Sequence, residues 1–352
     1  MNTKKIVDTN RIRGLATGIG SLPFQQGADE SLDLIFRYIP QMPFWPQLPR
    51  RDIREGMVAQ YSENMPCLRI SRDGLFFDAN NKEKELEDFY ARIIDNDLDH
   101  FRISRDYSLG IHAFYQRLKN RGLSGIEFIK CHITGPFTFA ASVKDDKAVA
   151  LLHDDVFMQA IIKGLLMKAL WQIKLFSEFG KKVIVFIDEP YLGCFGSAYT
   201  PINREEVVSG LTELAEGIRA QGGLTGIHCC GNTDWSIFTE TKAVDIINFD
   251  AYSFLDKFTL YAGNLNDFLV RGGVICWGIV PTQEFNAKIK AEDLVARIKE
   301  GIDILAKKGV DRGLLSEQLL VTPACGLGTL EEHKAEEIFR LLSEVSEALK
   351  KG

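Results

Sequence analysis

The chain alternates short apolar runs with longer amphipathic stretches, and most of the apolar runs end in a polar or Gly/Pro-rich loop. Eight runs have the length and the β-branched or aromatic content of strands: residues 15–20, 39–45, 126–133, 183–187, 224–229, 245–249, 273–279 and 319–322. Between them, apolar positions recur at helical spacing over 28–38, 52–64, 82–95, 108–120, 153–179, 203–221, 263–271, 291–308 and 329–349. Residues 68–77 fit neither period and are expected to form an excursion such as a hairpin. The run VIVFI at 183–187 is apolar at every position, so both of its faces must be covered, as they are in a parallel sheet. This alternation, with no linker or low-complexity tract, predicts an α/β protein made of a single (β/α)8 barrel domain over residues 1–352, residues 1–13 being an N-terminal extension.

Composition narrows the function classes. The net charge is -6 and no Lys/Arg block exceeds short pairs such as Lys181-Lys182, so there is no electrostatic footprint for a phosphate backbone and nucleic acid is not an expected partner. The first residues lack the apolar segment of a signal peptide, and no run of about 18 uncharged apolar residues occurs. A cytoplasmic protein without a membrane partner is therefore expected. Seven cysteines, odd in number and thinly spread, do not resemble a disulfide framework; reduced thiols, some of them ligands, fit better.

Barrel enzymes carry their reactive groups at the C-terminal ends of the strands, and the polar residues of this chain gather there. His228 and Cys230 stand two apart at the end of the run 224–229, a spacing that turns both to one side of a strand while Cys229 faces the other. Cys325 follows the run 319–322 between a proline and two glycines, and Asp250 follows 245–249. Together they form a His-Cys-Cys-carboxylate set suited to Zn²⁺. With two thiolates and a carboxylate, such a metal would be electron-rich, better at activating a substrate thiol than at generating hydroxide. Asp250 could instead serve only its own loop. Asp188-Glu189-Pro190 closes the run 183–187, where two carboxylates would be costly without partners; a cationic substrate group such as an α-ammonium, or a salt bridge in the barrel rim, would supply one. Ser21 could cap a turn, and His132 reads equally well as a core histidine or a ligand. Cys67, Cys131 and Cys276 read as small buried hydrophobes.

Residues 18–23 (GIGSLP), 134–136 (TGP), 186–190 (FIDEP), His228-x-Cys230 and 322–327 (TPACGL) resemble, in order, the motifs of the catalytic C-terminal barrel of cobalamin-independent methionine synthase, within the uroporphyrinogen decarboxylase-like superfamily. The resemblance runs from about residue 14 to 345. It implies a zinc-dependent methyl transfer to a thiol, classically homocysteine, with His228, Cys230 and Cys325 as zinc ligands and Asp250 in the place of the family's glutamate ligand. It further implies that Ser21 and Asp188 hold the amino-acid substrate, and that Glu55 lies near a further substrate carboxylate. Two departures bear on the methyl donor. The folate-using enzymes carry a histidine acid after the seventh strand, where 276–281 (CWGIVP) has none, and the glutamate six residues after the strand-end aspartate is replaced by Cys194. The short core-type methionine synthases, which draw methyl from a methylcorrinoid, match this length better, so a corrinoid protein is the expected donor partner. The wording HxCGNT is also similar to the zinc motif of methylcobamide:coenzyme M methyltransferases. A zinc or corrinoid module without turnover, and a metal-free decarboxylase of the uroporphyrinogen type, are the remaining readings; for the last, Arg11 and Arg13 do not reproduce the arginine-rich segment that holds propionates.

Overall fold

The computed structural model describes residues 9–351 except 73, 146 and 198–201. Residues 1–8 of the expected N-terminal extension thus lie outside the described residues, and Thr9–Ile12 form one helical turn. Nine strands occur among the described residues: β1 (Leu15–Ala16), β2 (Leu68–Ser71), β3 (Gly74–Phe77), β4 (Phe128–Thr134), β5 (Lys182–Asp188), β6 (Leu224–Cys229), β7 (Ile246–Phe249), β8 (Val274–Val280) and β9 (Leu319–Pro323). Strands β2 and β3 pair as the antiparallel hairpin expected over 68–77. The other seven form one parallel sheet in the order β1-β9-β8-β7-β6-β5-β4, with helices following the strands as the alternation predicts.

The gap between β1 and β4 is closed by residues 41–47, and here the expected strand at 39–45 is corrected. Pro43 and Pro46 have no N–H to contribute to a ladder, so the segment makes isolated pairings in place of a regular strand: Phe44 with Lys130 on one side and Gln47 with Ser21 on the other. The Lys130 N–H donates to the Pro43 carbonyl at 2.9 Å and the Gln47 N–H to the Gly20 carbonyl at 3.0 Å. An irregular eighth stave thereby completes the barrel.

Strand alternation sorts the apolar side chains into two layers. Phe128, Ile184, Phe186, Leu224, Ile246, Val274, Cys276 and Leu320 form an inner cluster drawn from successive strands. Their alternates, such as Cys131, Val185, Ile227, Ile247 and Val321, pack outward under the helices. The helix Asp155–Ser177 is long and apolar enough by composition to cross a bilayer, but 72% of its most apolar window is buried in this outer layer, the environment of a core helix.

The helix expected over 52–64 is also corrected, to two single 3-10 turns at Ile53–Glu55 and Ala59–Tyr61. Side chains intercept the backbone there: Asp52 accepts from the Arg54 N–H at 2.9 Å, which diverts the first turn. A short helix not foreseen in the sequence, Pro136–Ser142, starts with proline in its first turn, where a missing N–H costs nothing.

Candidate metal centre

Three side chains from two distant parts of the chain meet at the mouth of the barrel. His228 is the last inward residue of β6, Cys230 lies one residue beyond that strand, and Cys325 lies two residues beyond β9. One ligand atom from each, an imidazole nitrogen and two sulfurs, all fall within 4.8 Å of one another. Ligands at roughly 2.0–2.3 Å from a tetrahedral zinc stand about 3.5–4 Å apart, so this donor set fits the ion with little adjustment. Cys229 takes the opposite face, buried in the outer layer with its sulfur 3.7 Å from the Gly231 carbonyl.

The Cys325 loop is held by Ser21. The Leu327 N–H donates to the Ser21 carbonyl at 2.9 Å and the Gly328 N–H to its hydroxyl oxygen at 3.3 Å. A Cβ on Gly326 would stand 2.2 Å from that oxygen, so any larger residue would push the Ser21 hydroxyl off the loop it holds. On the other side, Gly193 packs against Gly231, where a Cβ on either would lie within about 3 Å of the other's Cα. That contact seats the turn carrying the exposed Cys194 beside the Cys230 loop.

His228 is oriented from below. Its Nδ1 lies 2.5 Å from Oδ1 of Asn248, the inward residue of β7 next to it in register. Burial alone would depress the imidazole's pKa, but its hydrogen bond to Cys325 and the nearby Asp188 carboxylate prevail and raise it. The two thiols are coupled: a hydrogen bond from Cys230, with a further contribution from His228, favours the Cys325 thiolate, while Cys230 is pushed up as the partner that keeps the proton. The pairing thus favours anionic sulfur at Cys325, the state a metal ligand needs.

The four carboxylates singled out in the sequence fare differently. Asp188 ends β5 beside His228 in register, and its Oδ1 is buried without a hydrogen-bond partner. Burial lifts its pKa to about 6 against the opposing pull of Lys130 and His228. Glu189 turns to the N-terminus of the helix Pro136–Ser142: Oε1 accepts from the Phe137 N–H at 2.9 Å, and Oε2 from the Thr138 N–H at 2.9 Å and the Thr138 hydroxyl at 2.6 Å. Burial outweighs those bonds and lifts it to about 7. Glu55 is also fully buried and occupied, accepting from the Leu48 and Leu109 N–H groups at 3.2 and 3.0 Å and from Arg51. Neither Glu189 nor Glu55 presents a free oxygen to a substrate. Asp250 stands outside the group of three. It accepts from the Ser253 N–H at 2.8 Å, serving its own turn, and it also lines a cavity of about 200 Å³ with Cys230, Cys325, Tyr252 and Thr282.

Three further residues at this site were not assigned from the sequence. Asn248 is one. Lys130 is fully buried inside the barrel, its ammonium donating to the Ile19 carbonyl and lying 4.8 Å from the Phe186 ring centroid; burial lowers its pKa to about 8. Thr322, on β9, accepts from Asn248 at 2.9 Å. The signal for the first two was present: Asn248 is the lone polar residue of its apolar run, and Lys130 is a charged residue on the inward side of a largely apolar one. His132, left open in the sequence, is buried, stacked on Trp45 with centroids 3.8 Å apart, and has no hydrogen-bond partner at either ring nitrogen.

No protein-family model matches the chain, and no curated protein matches it significantly. Among solved structures it is similar to a B12-independent methionine synthase from Shewanella sp. W3-18-1 in complex with selenomethionine, with a TM-score of 0.57 and 16% identity over 97% of this chain and 98% of that one. At that identity the likeness establishes the fold, an α/β barrel of the same architecture along nearly its whole length.

Proposed function

We propose that this chain is a zinc-dependent thiol methyltransferase that methylates homocysteine, with a methylcorrinoid as donor. The observation that carries the reading is the convergence of His228, Cys230 and Cys325 at the barrel mouth, beside a cavity and a buried carboxylate, Asp188, whose Oδ1 has no hydrogen-bond partner. The fold shared with a methionine synthase supports it.

His228, Cys230 and Cys325 would hold the zinc, and three protein ligands leave the open position of a catalytic site. Asp250, on the cavity wall, is a fourth ligand that can be displaced. Bound there, zinc would lower the pKa of an acceptor thiol and keep it a nucleophilic thiolate near neutral pH. The rest is positioning by the chain. Asp188 receives the acceptor's ammonium, the charge its free oxygen lacks, and fixes the sulfur's approach. Ser21 holds the Cys325 loop beneath it. In the transfer the acceptor sulfur forms a bond to the methyl carbon as the methyl–donor bond breaks, its electron pair leaving with the donor.

The solved neighbour is named as B12-independent, so the donor assignment rests on this chain's own residues. A pterin amine must be protonated to leave, whereas a corrinoid departs with the electron pair and needs no acid. Residues 276–281 hold no histidine, and the one titratable group there, Cys276, is buried in the barrel with its thiol pushed up to about 12.

The test is zinc content by elemental analysis together with homocysteine-dependent demethylation of methylcobalamin and detection of methionine. A protein that binds no zinc sinks the proposal. If zinc binds but homocysteine leaves the spectrum of the cobalt-substituted protein unchanged, the site is structural.

A further inference from the structure

Asn248 makes three side-chain hydrogen bonds inside the barrel. Its Nδ2 donates to the Cys276 carbonyl at 2.9 Å and to the Thr322 hydroxyl oxygen at 2.9 Å, and its Oδ1 faces Nδ1 of His228 at 2.5 Å. The orientation of the amide is forced by one of these partners. A backbone carbonyl can only accept, so the NH₂ group must point to Cys276 and the oxygen to the imidazole. An amide oxygen can only accept in turn, so Nδ1 of His228 must carry a proton, and the lone pair of the neutral ring lies on Nε2, the nitrogen left to face the sulfurs.

We propose that Asn248 is the positioning residue of the metal centre: it locks His228 in the tautomer that ligates through Nε2 and, through Thr322, ties the strand carrying His228 to the strand leading to Cys325. Thr322 lies three residues before Cys325 on the same stretch of β9 and its loop. One buried side chain therefore spans β7, β8 and β9 and sets both the ring orientation and the separation of the two halves of the site. A ligating histidine is commonly held by a carboxylate or a backbone carbonyl at its second nitrogen; here a side-chain amide takes that place. This inference rests on the zinc reading, because without an ion the tautomer has no ligand to present.

The experiment compares Zn²⁺ affinity, by competition with a chromophoric chelator, in wild type, Asn248→Leu and Asn248→Asp, with circular dichroism and thermal unfolding reporting the fold. Asn248→Leu removes the acceptor at Nδ1 and is expected to weaken zinc binding by about 10- to 100-fold. Asn248→Asp keeps an acceptor at Nδ1 but loses the donor to the Cys276 carbonyl and Thr322, so it is expected to bind zinc more tightly than Asn248→Leu and less tightly than wild type. Equal affinity for wild type and a folded Asn248→Leu overturns the inference while leaving the zinc reading intact. Wild type that binds no zinc removes the zinc reading itself. Because Asn248→Leu could fail to fold, the ring is also read directly in wild type: two-bond ¹H–¹⁵N correlations of the zinc-loaded protein should show His228 protonated at Nδ1. A ring protonated at Nε2 overturns the inference whatever the variants do.

Discussion

Asp188 and Glu189 are consecutive and both buried, yet Glu189 is closed by three hydrogen bonds from Phe137 and Thr138 while Oδ1 of Asp188 has no partner. A buried acid of this kind opposes folding once ionised. Burial raises the Asp188 pKa from 3.8 to about 6, so the folded state binds more protons than the unfolded one across that window, and stability falls as pH rises through it. About two units correspond to at most about 3 kcal/mol. Asp188→Asn should therefore make the metal-free protein more stable than wild type at pH 8, by up to that amount, with the difference vanishing near pH 4. Urea midpoints at the two pH values check this, and an unchanged gap would show that Asp188 is paired in solution.

Glu189 behaves differently. Glu189→Gln sets an NH₂ group against the Phe137 and Thr138 donors, so about 1–3 kcal/mol of stability should be lost near pH 5, where the folded wild-type carboxyl is protonated; at pH 8 the loss should shrink, because the variant also escapes the ionisation of a carboxyl that burial lifts to about 7. The KM of the folded fraction for homocysteine should not change. A raised KM without loss of stability would return Glu189 to the substrate-binding role that the sequence allowed it.

The metal centre separates its ligands from its neighbour. His228→Ala, Cys230→Ser and Cys325→Ser each remove one of three converging donors, and each should abolish stoichiometric zinc retention on dialysis. Asp250→Asn should retain zinc, because its carboxylate already serves the Ser253 N–H and lies outside the group of three. Loss of zinc in that variant would make Asp250 a permanent fourth ligand and close the open position.

The barrel and the side chains that gather at its mouth were legible because each depends on local pattern. An all-apolar run such as 183–187 can only be a covered strand, and the H-x-C spacing at a strand end sets both side chains on one side whatever lies beyond. What escaped depends on contacts between distant segments. The stave at 41–47 carries a warning in Pro43 and Pro46, which cannot donate to a ladder, but that it nonetheless closes the barrel appears only in the Pro43 carbonyl accepting from Lys130 and the Gly20 carbonyl accepting from Gln47. Glu55 has one local sign, Arg51 four residues before it, but none that the Leu48 and Leu109 N–H groups would fill the rest of its carboxylate. Asn248 was visible as a polar residue in an apolar run, but its partners come from β6, β8 and β9.

The choice of acceptor follows from the charge of the head group. A thiol bearing an ammonium gives Asp188 its missing partner, whereas coenzyme M brings a sulfonate to a buried carboxylate. Homocysteine should therefore be preferred over coenzyme M and over 4-mercaptobutanoate, which keeps the thiol and carboxylate but lacks the amine. Leaving a buried charge unpaired costs of order 2–3 kcal/mol, about 30- to 200-fold in kcat/KM. Asp188→Asn should collapse most of that ratio by lowering the value for homocysteine alone. Only the ionised carboxylate grips an ammonium, so kcat/KM for homocysteine should fall as pH drops below about 6 and the value for 4-mercaptobutanoate should lack that limb. Steady-state assays of the three thiols from pH 5 to 8 would decide it: equal profiles for homocysteine and its deaminated analogue would remove Asp188 from acceptor recognition.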